Sequence, residues 1–384
     1  MYRLNEAQQR IAGHAAAIAE KDLAPRAAAV DREAAFPKES VAALGAGGLL
    51  GLNVPQAYGG LGEGLRTAAA VIDALAQRCP STAMVYLMHL CGIACYAAAP
   101  GKTAALLREA AAGRHLSTLA FSEKGSRSHF WAPVSRAAST GNSAVTISAQ
   151  KSFVTSAGHA DGYVVSTLAG RAARLLESTI YLVLAKDGGV SVAGPWRGLG
   201  LRGNASAPMT LEAVSVAADR ALTAEGKGLD MMLGVVLPLF QVGSAAVGVG
   251  IAEAAVQATI AHVTHARFEE SNSSLRDLPT LRAQIAKMRI ETDRARAHLG
   301  AVLDSLESPG PATQLMVLEA KASGTEAAVA VTDLAMRTCG GAAFGGAHGL
   351  ERLFRDARAP IVMAPTSDVA YEFIGRALCG LEVF

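Results

Sequence analysis

The sequence has few charged and few aromatic residues. Of its 384 residues, 18% are Asp, Glu, Lys or Arg and 5% are Phe, Trp or Tyr, and the formal net charge is only +2. The chain contains no run of lysines and arginines of the kind that neutralises the phosphates of nucleic acid, so we expect no nucleic-acid partner. Because 51% of the residues are apolar, the chain should have a large buried core or extensive oligomer interfaces.

Cysteine is also scarce, and the five cysteines are scattered, odd in number and without a Cys-x-x-Cys pair. A disulfide framework or a zinc site would need paired spacings, so we expect reduced thiols and no metal site. The N-terminal segment carries charges throughout, unlike the apolar core of a secretory signal. These features predict a cytoplasmic protein. The cysteines are Cys79, Cys91, Cys95, Cys339 and Cys379.

One long uncharged stretch, residues 231–252, has the length needed to cross a bilayer. Pro238, Gln241 and several glycines interrupt it, and neither end has a basic flank. A helix that is apolar on all sides is usually buried in the interior of a large protein. We therefore expect a core helix and no membrane partner.

The periodicity of apolar residues changes twice along the chain. Residues 1–116 favour helices joined by short turns, residues 117–225 contain short β-branched runs separated by turn residues, and residues 226–384 return to long helices. This order predicts an α+β fold with an N-terminal all-α domain, a middle antiparallel β domain or barrel, and a C-terminal helical bundle domain. The predicted strands include residues 145–148, 162–167, 179–185 and 209–215.

A Gly-x-Gly-x-x-Gly match occurs at residues 198–203. A dinucleotide-binding fingerprint requires a strand before this motif and a helix after it. Here the motif is followed by a polar segment and then by a predicted strand. We therefore interpret it as a loop between strands.

A stretch near the C-terminus combines Gly340 and Gly341 with an Arg355-Asp356 step and Thr366. Adjacent glycines after the helix-prone residues 325–336 should end that helix and expose backbone N–H groups to a phosphate, although a plain helix cap gives the same pattern. The spacing resembles the C-terminal signature of the acyl-CoA dehydrogenase family of flavoproteins, in which Gly-Gly is followed by Arg-Asp and then by Glu-Gly-Thr.

The chain departs from that signature where the family carries its catalytic glutamate, because Ala364 and Pro365 replace the glutamate and the glycine after it. Acyl-CoA dehydrogenation requires a carboxylate that takes the α-proton, and Ala364 cannot supply one. Some branches of the family carry the glutamate on the first long helix of the C-terminal domain, but that place is occupied by Phe240. Neither position holds a base.

Two segments of the β region resemble the flavin-binding motifs of the same family. Residues 119–128 resemble its Thr-Glu-Pro-x-Ala-Gly-Ser-Asp motif, which implies that Phe121 and Ser122 bind the pyrimidine side of the flavin and that Ser128 lies near phosphates. Residues 150–156 resemble its Lys-x-Trp-Ile-Thr segment, which implies that Phe153 packs on the flavin and Thr155 bonds near its N5. By composition alone, an aromatic residue and a threonine on a strand are core residues.

The resemblance implies further contacts in the C-terminal region. Arg267, at the end of a helix predicted over residues 229–268, stands near the family's arginine for the flavin pyrophosphate of a neighbouring subunit; a solvated arginine is the alternative. Arg337 stands where the family has a glutamine for the same pyrophosphate. The other residues assigned to the cofactor are Gly340, Gly341, Thr366 and Asp368.

No catalytic base can be assigned from the sequence. Four titratable residues are candidates, and each has another interpretation. Glu123 is expected to be structural, Asp368 is expected to contact the flavin, and His262 fits an ordinary helix position. The fourth candidate, His129, replaces an aspartate of the family motif.

Taken over the whole chain, the resemblance implies non-covalent FAD binding and a homodimer or homotetramer with the flavin at a subunit interface. It favours an FAD-dependent oxidoreductase of CH–CH groups that acts on an acyl thioester, carried by CoA or by a carrier protein, with a non-standard or displaced base. An electron-accepting flavoprotein is a candidate partner. The alternatives are a flavin-dependent monooxygenase, which needs no α-proton abstraction, and an inactive partner subunit that is poor in FAD.

Overall fold

The computed structural model describes residues 2–126, 129–139, 144–170, 172, 174, 176–270, 272–346 and 348–383. Its N-terminal part is helical. The first helix begins with a capping box, in which the side chains of Asn5 and Gln8 each accept a backbone N–H of the other residue. The helices of this part are α1 (Glu6–Ile18), α2 (Ala27–Glu33), α3 (Lys38–Ala46), α4 (Leu65–Ala76), α5 (Pro80–Ala97) and α6 (Pro100–Ala111).

The middle part consists of strands in two sheets. The first sheet has the order β1-β4-β5 and the second has the order β2-β3-β7-β6. Each of the four strands predicted from the sequence overlaps an observed strand, so the predicted β domain is confirmed. The strands are β1 (Ser117–Ala120), β2 (Ala138–Ser139), β3 (Ala144–Val154), β4 (Gly162–Leu168), β5 (Ser178–Leu184), β6 (Val190–Val192) and β7 (Ala207–Ala217).

One pair of strands departs from the predicted antiparallel arrangement. Strands β1 and β4 run parallel, with Ser117 opposite Gly162 and Ala120 opposite Val165. Parallel strands need a long crossover connection, and residues 121–161 provide one. The other pairs within these two sheets are antiparallel.

The C-terminal part returns to helix, as predicted. Helix α10 packs against α8, α9 and α13, which gives this part its bundle architecture. The elements are α7 (Gly228–Met231), α8 (Leu237–His265), the hairpin of β8 (Arg267–Phe268) and β9 (Ser273–Ser274), α9 (Pro279–Glu307), α10 (Thr313–Phe344), α11 (Leu350–Asp356), α12 (Arg358–Val362) and α13 (Ser367–Leu378).

The long apolar stretch lies inside this bundle. The helical segment Gly228–His265 is long and apolar enough to cross a membrane, but 89% of its most apolar window is buried within the fold. This is the environment expected for a core helix.

Two predicted helix ends can be compared with the structure, and one of them differs. The helix predicted over residues 229–268 ends at His265, because Ala266 turns to an extended conformation and Arg267 begins a strand that pairs with Ser274. The glycine pair interrupts α10 where the sequence predicts a helix end: Gly340 adopts the non-helical angles φ 55° and ψ −135°, so that Thr313–Phe344 consists of two helical pieces joined at a kink. A positive φ of this kind is readily adopted by glycine.

The Arg355-Asp356 step joins all three parts of the chain. Arg355 donates two hydrogen bonds, of 2.8 and 2.6 Å, to the carboxylate of Asp31 on α2. The neighbouring Asp356 is buried and accepts a 2.6 Å hydrogen bond from the backbone N–H of Leu201, in the loop before β7. These adjacent side chains therefore hold an N-terminal helix and a loop of the β region against the C-terminal bundle.

A buried ion pair stabilises the entrance to the β region. The Lys151 ammonium lies 2.5 Å from Glu123 Oε1, and both side chains are almost fully buried. Ser135 donates to both carboxylate oxygens of Glu123 through its hydroxyl and its backbone N–H, and Val134 N–H adds a further bond at 2.9 Å. The Glu123 carboxylate is therefore saturated with donors.

Substitution of Gly200 tests the fit of the loop against α11. A Cβ at this position would lie 2.2 Å from the backbone oxygen of Arg355, so Gly200→Ala should lower the free energy of unfolding by about 1–3 kcal/mol. Gly194→Ala is the matched control, because its Cβ would meet nothing closer than Pro208 at 3.9 Å. Urea unfolding of both variants makes the comparison, and equal stability of the two would contradict the proposed close approach.

Substitution of Glu123 tests the buried ion pair. Glu123→Gln leaves the Lys151 ammonium buried without its countercharge, so we expect the free energy of unfolding to fall by about 3–5 kcal/mol. Glu212→Gln, at an exposed position on β7, should change it by less than about 0.5 kcal/mol. Thermal or urea unfolding distinguishes the two. A Glu123→Gln variant as stable as the control would show that the pair contributes little.

Candidate active site

A cavity of about 360 Å³ lies where the three parts of the chain meet. Its walls come from α5, from the residues after β1, from the end of β3, from the loop before β7, from the start of α8 and the segment leading into it, and from α12 with the two residues after it. Four of the predicted flavin contacts line it together with both positions at which the family carries its base. These six residues are Phe121, Ser122, Phe153, Thr155, Phe240 and Ala364.

Phe153 has the geometry expected of a residue that packs against a flat ligand. It lies at an irregularity of the β3–β7 pairing and has a positive φ of 54°, a rare conformation for a bulky side chain. Its ring is 71% exposed although it faces a cavity, and its edge meets Trp196 at a centroid distance of 6.5 Å and 90° between the ring planes. An exposed aromatic face beside a cavity suits the stacking of a planar ring.

The polar lining consists of hydroxyl and amide groups close to Phe153. The hydroxyls of Thr155 and Ser206 lie 2.9 Å apart, and Asn204 Oδ1 accepts the backbone N–H of Ser206. Ser122, whose backbone oxygen accepts the N–H of Ser152 at 2.9 Å, adds another hydroxyl to the lining. Such groups both donate and accept hydrogen bonds, as the edge of a flavin ring requires. The residues present therefore fit a flavin.

The predicted pyrophosphate contacts lie elsewhere on the chain. Arg267, Arg337, Gly340 and Gly341 are exposed and do not line the cavity. A Cβ added at either glycine would meet no heavy atom within 4 Å, so the backbone there is open to an approaching group. These residues are on the surface of the C-terminal helices and hairpin, where the resemblance expects contact with the flavin of a neighbouring subunit.

The remaining predicted contacts are also outside the cavity lining. Thr366 caps α13, since its side chain accepts the backbone N–H of Val369 at 3.3 Å. Asp368 is exposed in the first turn of that helix. Ser128 lies outside the described residues.

Glu123 lines the cavity but has no capacity left to act as a base. Burial on its own raises the pKa of this carboxyl, but the Lys151 ammonium and the hydrogen bonds from Ser135 outweigh burial and place the pKa below its usual range. A carboxylate that is held ionised and bonded on both oxygens is a poor proton acceptor. This supports the interpretation of Glu123 as structural.

The two histidine candidates also lie away from the cavity. His129 is exposed and stacks on Trp131 at a centroid distance of 4.9 Å. His262, near the end of α8, is within 3.0 Å of His348 in a surface pair, and partial burial lowers its pKa. Among the residues that the structure describes, Glu123 is thus the only carboxylate or imidazole in the cavity lining.

The sequence did not reveal the contribution of the loop before β7. Trp196, Leu201, Asn204 and Ser206 line the cavity, and Trp196 donates its indole N–H to the backbone oxygen of Leu201 at 3.1 Å. The loop contains the glycine motif that was correctly interpreted as a connection between strands. A tryptophan next to a glycine-rich loop, in a chain with only two tryptophans, is the signal that could have indicated this wall.

Comparison with known proteins finds a match for each of the three parts of the chain. Residues 5–112, 118–214 and 226–379 match the family models of the N-terminal, middle and C-terminal domains of acyl-CoA dehydrogenase, respectively. A probable acyl-CoA dehydrogenase of Bacillus subtilis (strain 168) is 27% identical over 382 residues, which cover 98% of this chain and 99% of the relative.

Solved structures show the same fold over almost the full chain. The butyryl-CoA dehydrogenase of Megasphaera elsdenii superposes with a TM-score of 0.92 at 21% identity, covering 98% of this chain and 99% of the other. The prolyl acyl carrier protein oxidase AnaB superposes with a TM-score of 0.88 at 19% identity and the same coverage. With all three domains matched, the chain belongs to the acyl-CoA dehydrogenase family of FAD-dependent oxidoreductases.

Proposed function

We propose that this protein oxidises a CH–CH group of an acyl thioester, carried by CoA or by a carrier protein, without a base at position 364. The observation that carries the proposal is the single cavity shared by Phe153, Thr155 and Ala364. A substrate that reaches the wall formed by Ala364 therefore lies beside the place where Phe153 and Thr155 would hold the flavin.

The residues of the cavity have separate tasks in this proposal. FAD, when held by these residues, would supply the acceptor for the hydride that leaves the β-carbon. Phe153 packs against the ring and fixes its plane, while the hydroxyls of Ser122 and Thr155 orient its polar edge. The apolar side chains of Met88, Val236 and Phe240, which line the cavity, exclude water from the acyl chain.

The α-proton requires a different acceptor from the family's glutamate. Ala364 and Phe240 are both apolar, and the Glu123 carboxylate already forms an ion pair with Lys151. We propose that the proton leaves to a displaced base outside the described cavity lining. A methyl group in place of a carboxylate also enlarges the space at this wall for a branched or bulkier acyl group.

A flavin-dependent monooxygenase is the second candidate. The observation that favours it is the same cavity lining, in which the described residues provide hydroxyls and apolar groups but no unoccupied base. An oxygen-using reaction needs no α-proton abstraction, so this lining would be sufficient for it. The two candidates differ in the requirement for oxygen and in the response of the flavin to a thioester.

We propose that the protein is located in the cytoplasm and forms a homodimer or a homotetramer. The exposed Arg267, Arg337, Gly340 and Gly341 support a flavin at the subunit interface, since a guanidinium and open backbone N–H groups bind phosphate well. Phe344, which follows the kink of α10, is 83% exposed and would be covered by a second subunit.

Dehydrogenation would leave the flavin reduced, so an electron-accepting flavoprotein would complete the cycle.

An anaerobic titration tests the thioester reaction. Purified protein with FAD bound should lose its oxidised flavin absorbance on addition of at least one short, medium, branched or carrier-bound acyl thioester, because hydride transfer reduces the flavin. Dithionite is the control that shows the flavin to be reducible. If dithionite bleaches the flavin and no thioester does, the proposal is wrong and the monooxygenase becomes the leading candidate.

Restoring the family's base tests the interpretation of position 364. The double variant Ala364→Glu/Pro365→Gly should reduce its flavin with acyl-CoA on the order of 10²-fold faster than the natural protein, as expected for a positioned general base. The matched control is Ala364→Gln/Pro365→Gly, which has the same shape without the base. Equal rates for the Glu and Gln variants would show that position 364 does not face the α-carbon.

A further inference from the structure

Lys321 is an unusual buried cation behind the active-site wall. It lies in the first third of α10, and its side chain is fully buried. Lysine is almost never fully buried unless it is paired. In the described part of the chain, however, Lys321 forms no ion pair with a carboxylate, in contrast to the equally buried Lys151. Burial lowers the pKa of the Lys321 ammonium to about 7, and the field of Glu326 opposes that shift only in part.

The amino group of Lys321 instead bonds to the backbone on either side of Ala364. Its Nζ donates to the carbonyl oxygen of Met363 at 3.0 Å and to that of Pro365 at 2.6 Å. These residues belong to the Ala364 loop, residues 363–366, which connects α12 to α13. The Lys321 side chain therefore bonds to the residues directly before and after Ala364, which occupies the family's base position.

The Ala364 loop depends on this contact because it has little internal support. Pro365 has no backbone N–H to donate, and the Met363 N–H makes only a 3.3 Å bond to Pro360. At the same time, Met363 and Ala364 line the cavity. A shift of the loop would therefore change the shape of the cavity directly.

We infer that Lys321 is a positioning residue of the active site, which anchors the Ala364 loop from the protein interior and so sets the distance between the cavity wall and the flavin. The two carbonyl acceptors provide the chemical reason, since an ammonium or amine can donate to both at once. The inference rests on the proposed function only in requiring flavin in the cavity, and it holds for either reaction.

The test combines loop dynamics with the flavin spectrum. Lys321→Met removes both donors at similar volume, so amide hydrogen exchange in residues 363–370 should be about tenfold faster, and the oxidised flavin bands should shift from those of the natural protein. Thr325→Val is the matched control, one turn along α10, because it removes a buried hydrogen bond to Lys321 O without contact to the loop. It should leave both measurements unchanged.

Unchanged exchange and an unchanged flavin spectrum in folded Lys321→Met would overturn the inference. If that variant does not fold, Lys321→Leu, which also removes the donors to Met363 O and Pro365 O, takes its place with the same expectations. Failure of both variants to fold would also overturn the inference, in favour of a role in stability alone. A thioester that fails to bleach the flavin affects none of these results, so the proposed function and this inference can fail separately.

Discussion

The hydrogen bonds of Arg355 and Asp356 are the constraint on which the active site depends. Arg355 donates hydrogen bonds to Asp31 of the N-terminal helices, and Asp356 accepts one from the backbone N–H of Leu201 in the loop before β7. All three parts of the chain contribute to the cavity wall. The cavity therefore exists only while these parts stay packed against one another. The Arg-Asp step of the family signature thus joins the three parts of this chain. The cofactor contacts that the resemblance implies are at the glycine pair, earlier in the same signature.

Two buried lysines show how differently the fold accommodates a cation. Lys151 is neutralised by Glu123, and the pair fixes the strand end that carries Phe153. Lys321 has backbone carbonyls as acceptors and fixes the Ala364 loop. Desolvation of each amino group is costly, and in both cases the hydrogen bonds are made to a segment that borders the cavity. The buried cations therefore support two different segments of the cavity wall.

The site has the residues proposed to hold a flavin and lacks a carboxylate where the family has its base. Phe121, Ser122, Phe153 and Thr155 converge on the cavity, whereas Ala364 supplies a methyl group where the family has a carboxylate. The fold and the cofactor are thus compatible both with thioester oxidation and with an oxygen-using reaction, because one fold can serve different chemistries. The difference lies in the proton acceptor and in the shape of the wall at Ala364.

The sequence by itself determined the order of helices and strands, the helix break at the glycine pair, the family, and four residues that line the cavity, because these depend on local periodicity and on short motifs. It could not predict the parallel pairing of β1 with β4, the wall formed by Trp196 and Asn204, or the position of Lys321 behind Ala364. Each of these depends on contacts between segments far apart in the chain, which only the packing of the three parts brings together.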